Sequence, residues 1–388
     1  MDLDDAPYPL KPVVPFIKVT QDRIVLEIQR GCIRGCRFCQ AGMIYRPVRE
    51  KNLETLKAYA EAMIDSTGHD EITLSSLSTS DYSKISELVS WLVNTYREKF
   101  INISLPSLRI DHVFLEMMET IQESKKGSLT FAPEAGSQRM RDVINKGITE
   151  EDILSGASIC FDAGYSKVKL YFMLGLPGET DEDVTAIADL ADKVAMTYFD
   201  TVPKEERKGI RVQVTSSSSF FVPKPFTPFQ WSAMDRPEEY LRKAHLLNET
   251  MENEPRHKSL KYQYHESELS KLEGVFARGD RRICDVILSA YKKGCIYDSW
   301  TEGFKLEKWN EAFLECGVDP EFYTLRERSL DEAFPWDFID IGVSKAFLKR
   351  EFERSKDGTV TPNCRAACSG CGAASFGGGV CFEKRNDA

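Results

Sequence analysis

The sequence predicts an α/β fold in which parallel strands and helices form a curled sheet, followed by a helical region and a cysteine-rich tail. Two observations predict it. Short apolar runs alternate with amphipathic helical patterns through six units, and βα units in series form parallel strands with right-handed crossovers. Polar segments follow these runs, as expected where strands end at the rim of a TIM-type barrel. An open doubly wound sheet and a partial barrel both fit this pattern.

The individual strands and helices are predicted from hydrophobic periodicity. The helix at 83–97 has the clearest pattern, because apolar residues from Ile85 to Tyr96 form one stripe. Thr180, with Asp183 three residues later, predicts a capped helix start. The predicted strands are 23–29, 71–77, 101–105, 128–132, 167–174 and 210–216. The predicted helices are 52–66, 83–97, 111–123, 136–162 with a break at Gly147, and 181–197.

Changes in composition divide the chain into four predicted parts. Closely spaced prolines mark the first part, and helical patterns with charged stretches mark the third. The parts are a proline-rich arm or linker at 1–22, a core barrel at 23–231, a helical extension at 232–355 and a cysteine-rich tail at 356–388. The helices predicted in the extension are 237–252, 266–278, 280–293, 306–316 and 343–354.

The bulk composition is that of an ordinary globular protein, with 42% hydrophobic and 29% charged residues in 388. A formal net charge of −10 argues against a general nucleic-acid coat. No apolar run has the length of a membrane span, and the acidic start is unlike a signal peptide. We therefore expect a cytoplasmic protein whose eleven cysteines are reduced thiols and metal ligands.

Three cysteines in a short loop, Cys32, Cys36 and Cys39, follow the first predicted strand. Soft thiolates are the ligands that iron–sulfur clusters take, and three of them hold three corners of a [4Fe–4S] cubane. The next cysteine is Cys160, so one iron would keep an open position, as in a catalytic metal site. A zinc site would need a fourth ligand, and no His or Cys is close in sequence.

The cysteine spacing, with Phe38 just before the last cysteine, resembles the signature of the radical S-adenosylmethionine (SAM) superfamily. The resemblance implies that the open iron binds SAM and delivers one electron to it. SAM then breaks to methionine and a 5′-deoxyadenosyl radical, which takes a hydrogen atom from a substrate. It also selects the partial (β/α)6 barrel among the two architectures. With residues 40–50 and 220–231, the chain resembles an uncharacterised cobalamin-associated family related to the tRNA methylthiotransferases.

The same resemblance implies a set of SAM-binding residues on the barrel rim. Glu134 ends the fourth strand, where related enzymes place a polar residue on the methionine moiety or ribose, and Lys146 corresponds to a basic residue near the SAM carboxylate. The alternative for Glu134 is an acid favoured by a helix N-terminus, and the alternative for Lys146 is a solvated lysine at a helix end. The remaining predicted contacts come from Phe38, Ser76 in the serine-rich segment after the second strand, Gly175 in the turn after the fifth, and Val222 in an aromatic stretch across the barrel mouth.

A second cysteine motif lies in the tail, where Cys364, Cys368, Cys371 and Cys381 supply four thiolates within eighteen residues. Four thiolates make a closed site, which suits a fully ligated second [4Fe–4S] cluster or a tetrahedral zinc ion. The glycine-rich connector before Cys381 is flexible enough to bring the fourth ligand round. The alternative is a disordered tail with no metal.

The function predicted on this basis is a radical SAM enzyme that modifies a macromolecule, by methyl or methylthio transfer to RNA or protein. The reductant would be a protein such as ferredoxin or flavodoxin. The resembled family implies a cobalamin-binding domain before the barrel or on a separate subunit. This sequence has no Asp-x-His-x-x-Gly segment for a lower cobalt ligand, so we do not expect the chain alone to bind cobalamin. The competing hypothesis is a non-catalytic iron–sulfur or zinc protein for electron transfer or assembly.

Overall fold

The structure, a computed structural model, describes residues 2–105, 129–207 and 209–383. Strands and helices alternate along the chain. The first described range contains β1 (Ile24–Glu27), β2 (Gln29–Arg30), α1 (Ala41–Ile44), β3 (Arg49–Glu50), α2 (Leu53–Thr67), β4 (Glu71–Ser75), α3 (Ile85–Tyr96) and β5 (Asn102–Ser104). The rest of the core contains β6 (Leu129–Glu134), α4 (Gln138–Val143), α5 (Glu150–Asp162), β7 (Lys167–Leu174), α6 (Asp181–Thr201) and β8 (Gln213–Phe220). The predicted helix at 111–123 lies outside the described residues.

The remaining elements belong mostly to the predicted extension and the tail. They are α7 (Pro237–Asn253), β9 (Leu260–Tyr264), α8 (Ser267–Arg278), α9 (Ile283–Lys292), α10 (Leu306–Glu315), α11 (Pro320–Thr324), α12 (Lys345–Lys356) and α13 (Val380–Glu383). Within the described ranges, every helix is too short or too polar to traverse a lipid bilayer.

Parallel pairing organises the strands into two sheets. The first has the order β1-β4-β5, and the second has the order β6-β7-β8-β9. In register, Leu26 lies opposite Leu74 in the first sheet, and Leu170 lies opposite Ser216 in the second. Parallel strands joined by helices confirm the predicted α/β class, and the βα order is that of a partial TIM-type barrel.

Each sheet buries one face against its helices. Ile24, Leu26 and Leu74 pack with α2 and α3, and Leu170 and Phe172 pack with α5 and α6. Successive side chains of a strand point to opposite faces. The intervening residues therefore form the other face, which is largely polar and includes the half-buried or exposed residues Glu27, Ser75, Lys169, Tyr171 and Thr215.

Strands β8 and β9 differ most from the prediction. Strand β8 runs from Gln213 to Phe220 instead of 210–216, so the serines at 216–219 lie within the β7–β8 ladder. Strand β9, which was not predicted, pairs in parallel with β8 from Leu260 to Tyr264. Only alternate residues of β9 are even half-buried, which leaves little hydrophobic signal in the sequence. The parallel sheet therefore continues past residue 231.

A third apolar core joins the rim of the barrel to the extension. It contains the buried side chains of Phe221, Phe229 and Trp231 from the aromatic stretch, together with Trp336 and Phe347 from the extension. The indole Nε1 of Trp336 donates to Gln230 Oε1 at 2.9 Å inside this core. The extension is therefore packed over the strand ends, where the candidate site lies.

Candidate cluster and SAM site

The loop that carries the first three cysteines is closed at its base by a short antiparallel ladder. Strands β2 and β3 pair Gln29 with Glu50 and Arg30 with Arg49. Gly31 has a φ of +92°, and a Cβ atom there would lie 2.5 Å from the carbonyl oxygen of Tyr45. Only glycine fits this backbone, which turns the chain from the ladder into the loop.

The three thiols of the loop are all partly buried. Backbone N–H groups point at two of them: Arg34 N–H donates to Cys32 Sγ at 3.5 Å, and Gly42 N–H donates to Cys39 Sγ at 3.3 Å. Burial raises the pKa of Cys32 to about 12, and the neighbouring Cys36 contributes to that rise. Burial and Cys36 also raise the pKa of Cys39. Thiolates at these positions therefore need a bound cation to neutralise them, and three soft ligands with N–H donors fit an iron–sulfur cluster.

A single-ion site is a poorer match. In the part of the chain that the structure describes, no three His, Cys, Asp or Glu side chains are placed to bind one metal ion. Zinc draws its sulfur ligands to about 2.3 Å, whereas a cubane holds its cysteine sulfurs on separate iron atoms, farther apart. Three thiolates suit a cluster in which each binds a separate iron, whereas a zinc ion would need a fourth protein ligand.

Arg37, in the middle of the cysteine loop, fixes the loop to the barrel and to the extension. Its side chain is fully buried. The guanidinium donates to the carbonyl oxygens of Val143 at 2.9 Å, Asp142 at 3.2 Å and Thr359 at 2.6 Å, and forms an ion pair with Glu351 at 3.2 Å. Burial lowers the pKa of Arg37, and Glu351 opposes that effect. This role was not predicted, because all the partners lie far away in sequence.

Asn145, like Arg37, fixes the cysteine loop to other parts of the chain, and this role was not predicted from the sequence. Its φ is +53°, an unusual conformation for a residue other than glycine. The side-chain amide donates to the carbonyl oxygens of Gly35 at 3.1 Å and Thr361 at 3.2 Å, and its oxygen accepts the N–H of Thr361 at 2.9 Å. Asn145 thus joins the cysteine loop to the segment that precedes the tail cysteines.

Glu134 and Lys146 meet beside the cysteine loop. The ladder of β6 is irregular between Phe131 and Glu134, and Glu134 has a φ of +69°. Its carboxylate accepts a hydrogen bond from Lys146 Nζ at 3.0 Å, and that nitrogen lies 6.0 Å from the Phe38 ring centroid. Lys146 lowers the pKa of Cys39 and Glu134 raises it, so both charges act on this thiol.

These contacts bear on the alternative for Lys146, and its role in binding SAM stays a prediction. Lys146 is only 8% exposed, which contradicts a solvated lysine at a helix end. Backbone strain of the kind seen at Glu134 is found most often at functional sites. The structure therefore brings four of the predicted residues together, namely Phe38, Cys39, Glu134 and Lys146.

The other predicted SAM contacts have neighbours of their own. Gly175 has a φ of +81°, and a Cβ atom there would lie 2.2 Å from Cε1 of Tyr240. Ser76 Oγ lies 3.1 Å from Thr79 Oγ1, and Val222 is buried in the core of the second sheet. The contacts place Gly175 and Val222 in the framework of the rim, and a ligand role for each of the three stays a prediction.

The aromatic stretch after β8 contacts the cysteine loop. Gln40 Nε2 donates to the carbonyl oxygen of Pro225 at 3.2 Å, and the N–H of Phe229 donates to the carbonyl oxygen of Arg37 at 3.4 Å. Phe229 and Trp231 are at the same time fully buried. The stretch therefore both covers the loop and fills the third core.

A family model described as the radical SAM superfamily matches residues 26–191. The chain carries a radical SAM domain. The matched range contains the cysteine loop, Glu134, Lys146 and Gly175. Residues 26–191 thus match the superfamily that the cysteine spacing predicts, whose domains use a [4Fe–4S] cluster and SAM.

Curated relatives of this radical SAM chain include proteins with methylthiotransferase names. Uncharacterized protein MJ0966 from Methanocaldococcus jannaschii is 32% identical over 72% of this chain and 60% of its own length. The putative methylthiotransferase MJ0865 from the same organism is 25% identical over 47% of this chain and 43% of its own length. The threonylcarbamoyladenosine tRNA methylthiotransferase MtaB from Aquifex aeolicus is 24% identical over 48% of this chain and 46% of its own length. The chain thus spans between two fifths and three fifths of these relatives.

Among solved structures, the radical S-adenosylmethionine methyltransferase TsrM from Kitasatospora setae, with cobalamin and a [4Fe–4S] cluster bound, is also similar. It is 14% identical, with a TM-score of 0.41, over 56% of this chain and 39% of that chain. A likeness of that degree bears on no statement about the site.

Proposed function

We propose that this chain is a radical SAM enzyme that cleaves SAM reductively and transfers a methyl or methylthio group to a macromolecule, either RNA or protein. Cys32, Cys36 and Cys39 would hold the cluster, which would supply the one-electron reduction of SAM. The observation that carries the proposal is the ion pair of Glu134 and Lys146 beside Cys39 and Phe38.

The charges of this pair match the two charges of the methionine moiety of SAM. The carboxylate of Glu134 is an acceptor for the ammonium, and the ammonium of Lys146 is a donor for the carboxylate. Because both side chains are largely buried, their charge-assisted hydrogen bonds are stronger than the same bonds in water. Without SAM, Lys146 Nζ and Glu134 Oε1 form an ion pair at 3.0 Å. Binding of SAM would replace this one pair by two, one with its ammonium and one with its carboxylate.

The surrounding residues fix the cysteine loop in place and cover part of it against water. Arg37 and Asn145 fix the loop backbone to α4 and to the segment before the tail cysteines. The aromatic stretch covers it through the contacts of Gln40 and Phe229. Exclusion of water protects a reactive radical from side reactions.

A macromolecular substrate is supported by two observations. Relatives that match about half of this chain carry methylthiotransferase names, one of them acting on tRNA by name. The polar face of the second sheet presents Lys169 and the 38%-exposed Tyr171, with the Lys169 ammonium 4.8 Å from the Tyr171 ring centroid. A protein reductant such as ferredoxin or flavodoxin, and a cobalamin-binding domain on another segment or subunit, complete the proposal.

Anaerobic reconstitution tests the reductive cleavage. The chain loaded with iron and sulfide should form 5′-deoxyadenosine from SAM when dithionite is added. Cys36→Ala should abolish this product, while Cys284→Ser, at an exposed cysteine on α9, should leave the product unchanged. An intact cluster that yields no 5′-deoxyadenosine would overturn the proposal in favour of a non-catalytic iron–sulfur protein.

A further inference from the structure

The tail cysteines lie against the loop that holds the first three cysteines. The N–H of Cys364 donates to the carbonyl oxygen of Ile33 at 3.0 Å, and the N–H of Val380 donates to the carbonyl oxygen of Val48 at 3.2 Å. Ile33, Val48 and Val380 form a small buried core with Cys364 against it. Both ends of the tail motif therefore pack against the cysteine loop and the segment that follows it.

The tail backbone is shaped between these two contacts. The carbonyl oxygen of Cys371, a buried residue, accepts the N–H of Ser344 at 2.9 Å. Asn363 Oδ1 accepts the N–H of Arg365 at 2.9 Å and that of Ala366 at 3.1 Å, which turns the chain just after Cys364. These contacts contradict the hypothesis of a disordered tail.

The four thiols of the tail are near one another. The charges of Cys364, Cys368 and Cys371 all act on the thiol of Cys381. Within the described ranges, these thiols form no group placed to bind one metal ion, and neither do Cys32, Cys36 and Cys39. Four thiols brought together in this way are the ligand set of either a fully ligated [4Fe–4S] cluster or a tetrahedral zinc ion.

One nitrogen of the buried Arg46 guanidinium, next to the tail, lacks a hydrogen-bond acceptor among the described residues. Arg46 is 6% exposed; its Nε donates to Gly42 O and its Nη2 to Arg34 O, both at 3.0 Å. Its Nη1 has no hydrogen-bond partner among the described residues. A Cβ atom on Gly379 would lie 3.5 Å from Cβ of Pro47, the residue after Arg46, so this arginine lies beside the segment that leads to Cys381. A buried, unpaired donor of this kind costs about 1–3 kcal/mol unless a ligand supplies the acceptor.

We propose that Cys364, Cys368, Cys371 and Cys381 bind a second, fully ligated [4Fe–4S] cluster and that Arg46 donates a hydrogen bond to it. An iron–sulfur cluster with four thiolates carries net negative charge and has sulfur acceptors, which suits the unpaired Nη1 of Arg46. The second cluster is built on the loop of the first, and its presence does not require that SAM be cleaved.

Metal and sulfide content tests the second cluster. The anaerobically reconstituted chain should contain about eight iron and eight sulfide, and the variant with all four tail cysteines changed to alanine should contain about four of each. The Cys32→Ala, Cys36→Ala, Cys39→Ala variant should keep about four iron, with an electron paramagnetic resonance signal that SAM does not alter. About four iron in the unaltered chain, with or without one zinc, would overturn the proposal. The metal and sulfide analysis and the paramagnetic resonance spectrum do not depend on the formation of 5′-deoxyadenosine. This test is therefore independent of the test of SAM cleavage.

A pair of adjacent glycines tests whether the second cluster is built on the loop. Gly379 and Gly378 have φ values of +70° and +77°. A Cβ atom on Gly379 would lie 2.1 Å from the carbonyl oxygen of Val48, whereas one on Gly378 would meet nothing within 4 Å. Gly379→Ala should therefore lose about half of the iron, and Gly378→Ala should keep it. Equal iron in the two variants would contradict the docking of the tail.

Discussion

The guanidinium of Arg37 lies 3.2 Å from the carboxylate of Glu351, and the two side chains are 0% and 1% exposed. This buried ion pair joins the cysteine loop to α12, and Glu351 also accepts a hydrogen bond from Thr361 Oγ1 at 2.8 Å. The extension therefore holds the candidate site as well as covering it. Substitutions in α12 that break this ion pair should therefore alter the conformation of the cysteine loop.

Removing the charge of Glu351 should destabilise the protein strongly. Glu351→Gln leaves Arg37 as a buried charge without its partner, a change that typically costs about 3–5 kcal/mol. Denaturant unfolding followed by circular dichroism measures the loss. The matched control is Glu353→Gln on the same helix, because Glu353 and Lys356 form an exposed pair, and the control should change stability by under about 1 kcal/mol. Equal effects of the two substitutions would refute the role of the buried pair.

Loss of either member of the Glu134–Lys146 pair should weaken SAM binding. Glu134→Gln and Lys146→Met each remove one charge-assisted hydrogen bond, worth about 1.5–3 kcal/mol, so each should raise the Kd for SAM by about tenfold or more. Equilibrium binding to the cluster-loaded chain measures this effect. Lys193→Met, in an exposed ion pair on α6, is the control. Unchanged SAM affinity in both variants would remove these residues from the SAM site.

The buried Glu179 should make stability depend on pH. Burial raises the pKa of Glu179 from 4.5 to about 7, although Lys243, 3.1 Å away, partly opposes this. The folded state thus holds the proton more tightly than the unfolded chain, so stability falls as pH rises from about 4.5 to 7. The pKa of Lys243 is raised above 10.5, so this ammonium stays charged throughout. The stability of Glu179→Gln relative to that of the unaltered chain should therefore rise by on the order of 2–3 kcal/mol between pH 5 and pH 8. Parallel unfolding profiles for the two proteins would contradict this assignment.

The turn after β7 should tolerate alanine at one glycine and not at the other. Gly175→Ala would place a Cβ atom 2.2 Å from Tyr240, whose hydroxyl donates to the carbonyl oxygen of Phe221 at 2.7 Å. Gly178 has a similar φ of +78°, but a Cβ atom there would meet nothing within 4 Å, so Gly178→Ala should cost only about 1 kcal/mol of backbone strain. Thermal unfolding should show a clearly larger loss for Gly175→Ala. A similar loss for both would mean that Tyr240 moves aside.

Local patterns predicted the elements that bury a regular face. Helix α3 appears where the apolar stripe from Ile85 to Tyr96 predicts it, and Gly147, with a φ of +61°, separates α4 from α5. Strand β9 was missed because its polar residues, Lys261 and Gln263, are exposed and its apolar residues are at most half-buried. Hydrophobic periodicity reports burial, so a strand with a solvated face and little buried area leaves a weak signal.

Of the candidate site, only the proposed cysteine ligands of the cluster could be predicted from a local sequence pattern. The spacing of Cys32, Cys36 and Cys39 is a local pattern and marks the cluster loop directly. The residues that position the loop, such as Arg37 and Asn145, act through partners 105 to 322 residues away in sequence. An arginine inside a loop and an asparagine after a short helix carry no local sign of such contacts, which only the packed chain creates.

The hydrogen bond between Ile33 and Cys364 joins the beginning of the barrel to the tail. A ribosome that adds about 5–20 residues per second completes the barrel strands well before it reaches the tail. Through most of synthesis, the cysteine loop therefore lacks the neighbours that hold it in the finished molecule. The contacts that hold the cysteine loop are complete only once residue 364 has been made, so a chain interrupted before the tail would keep this loop exposed.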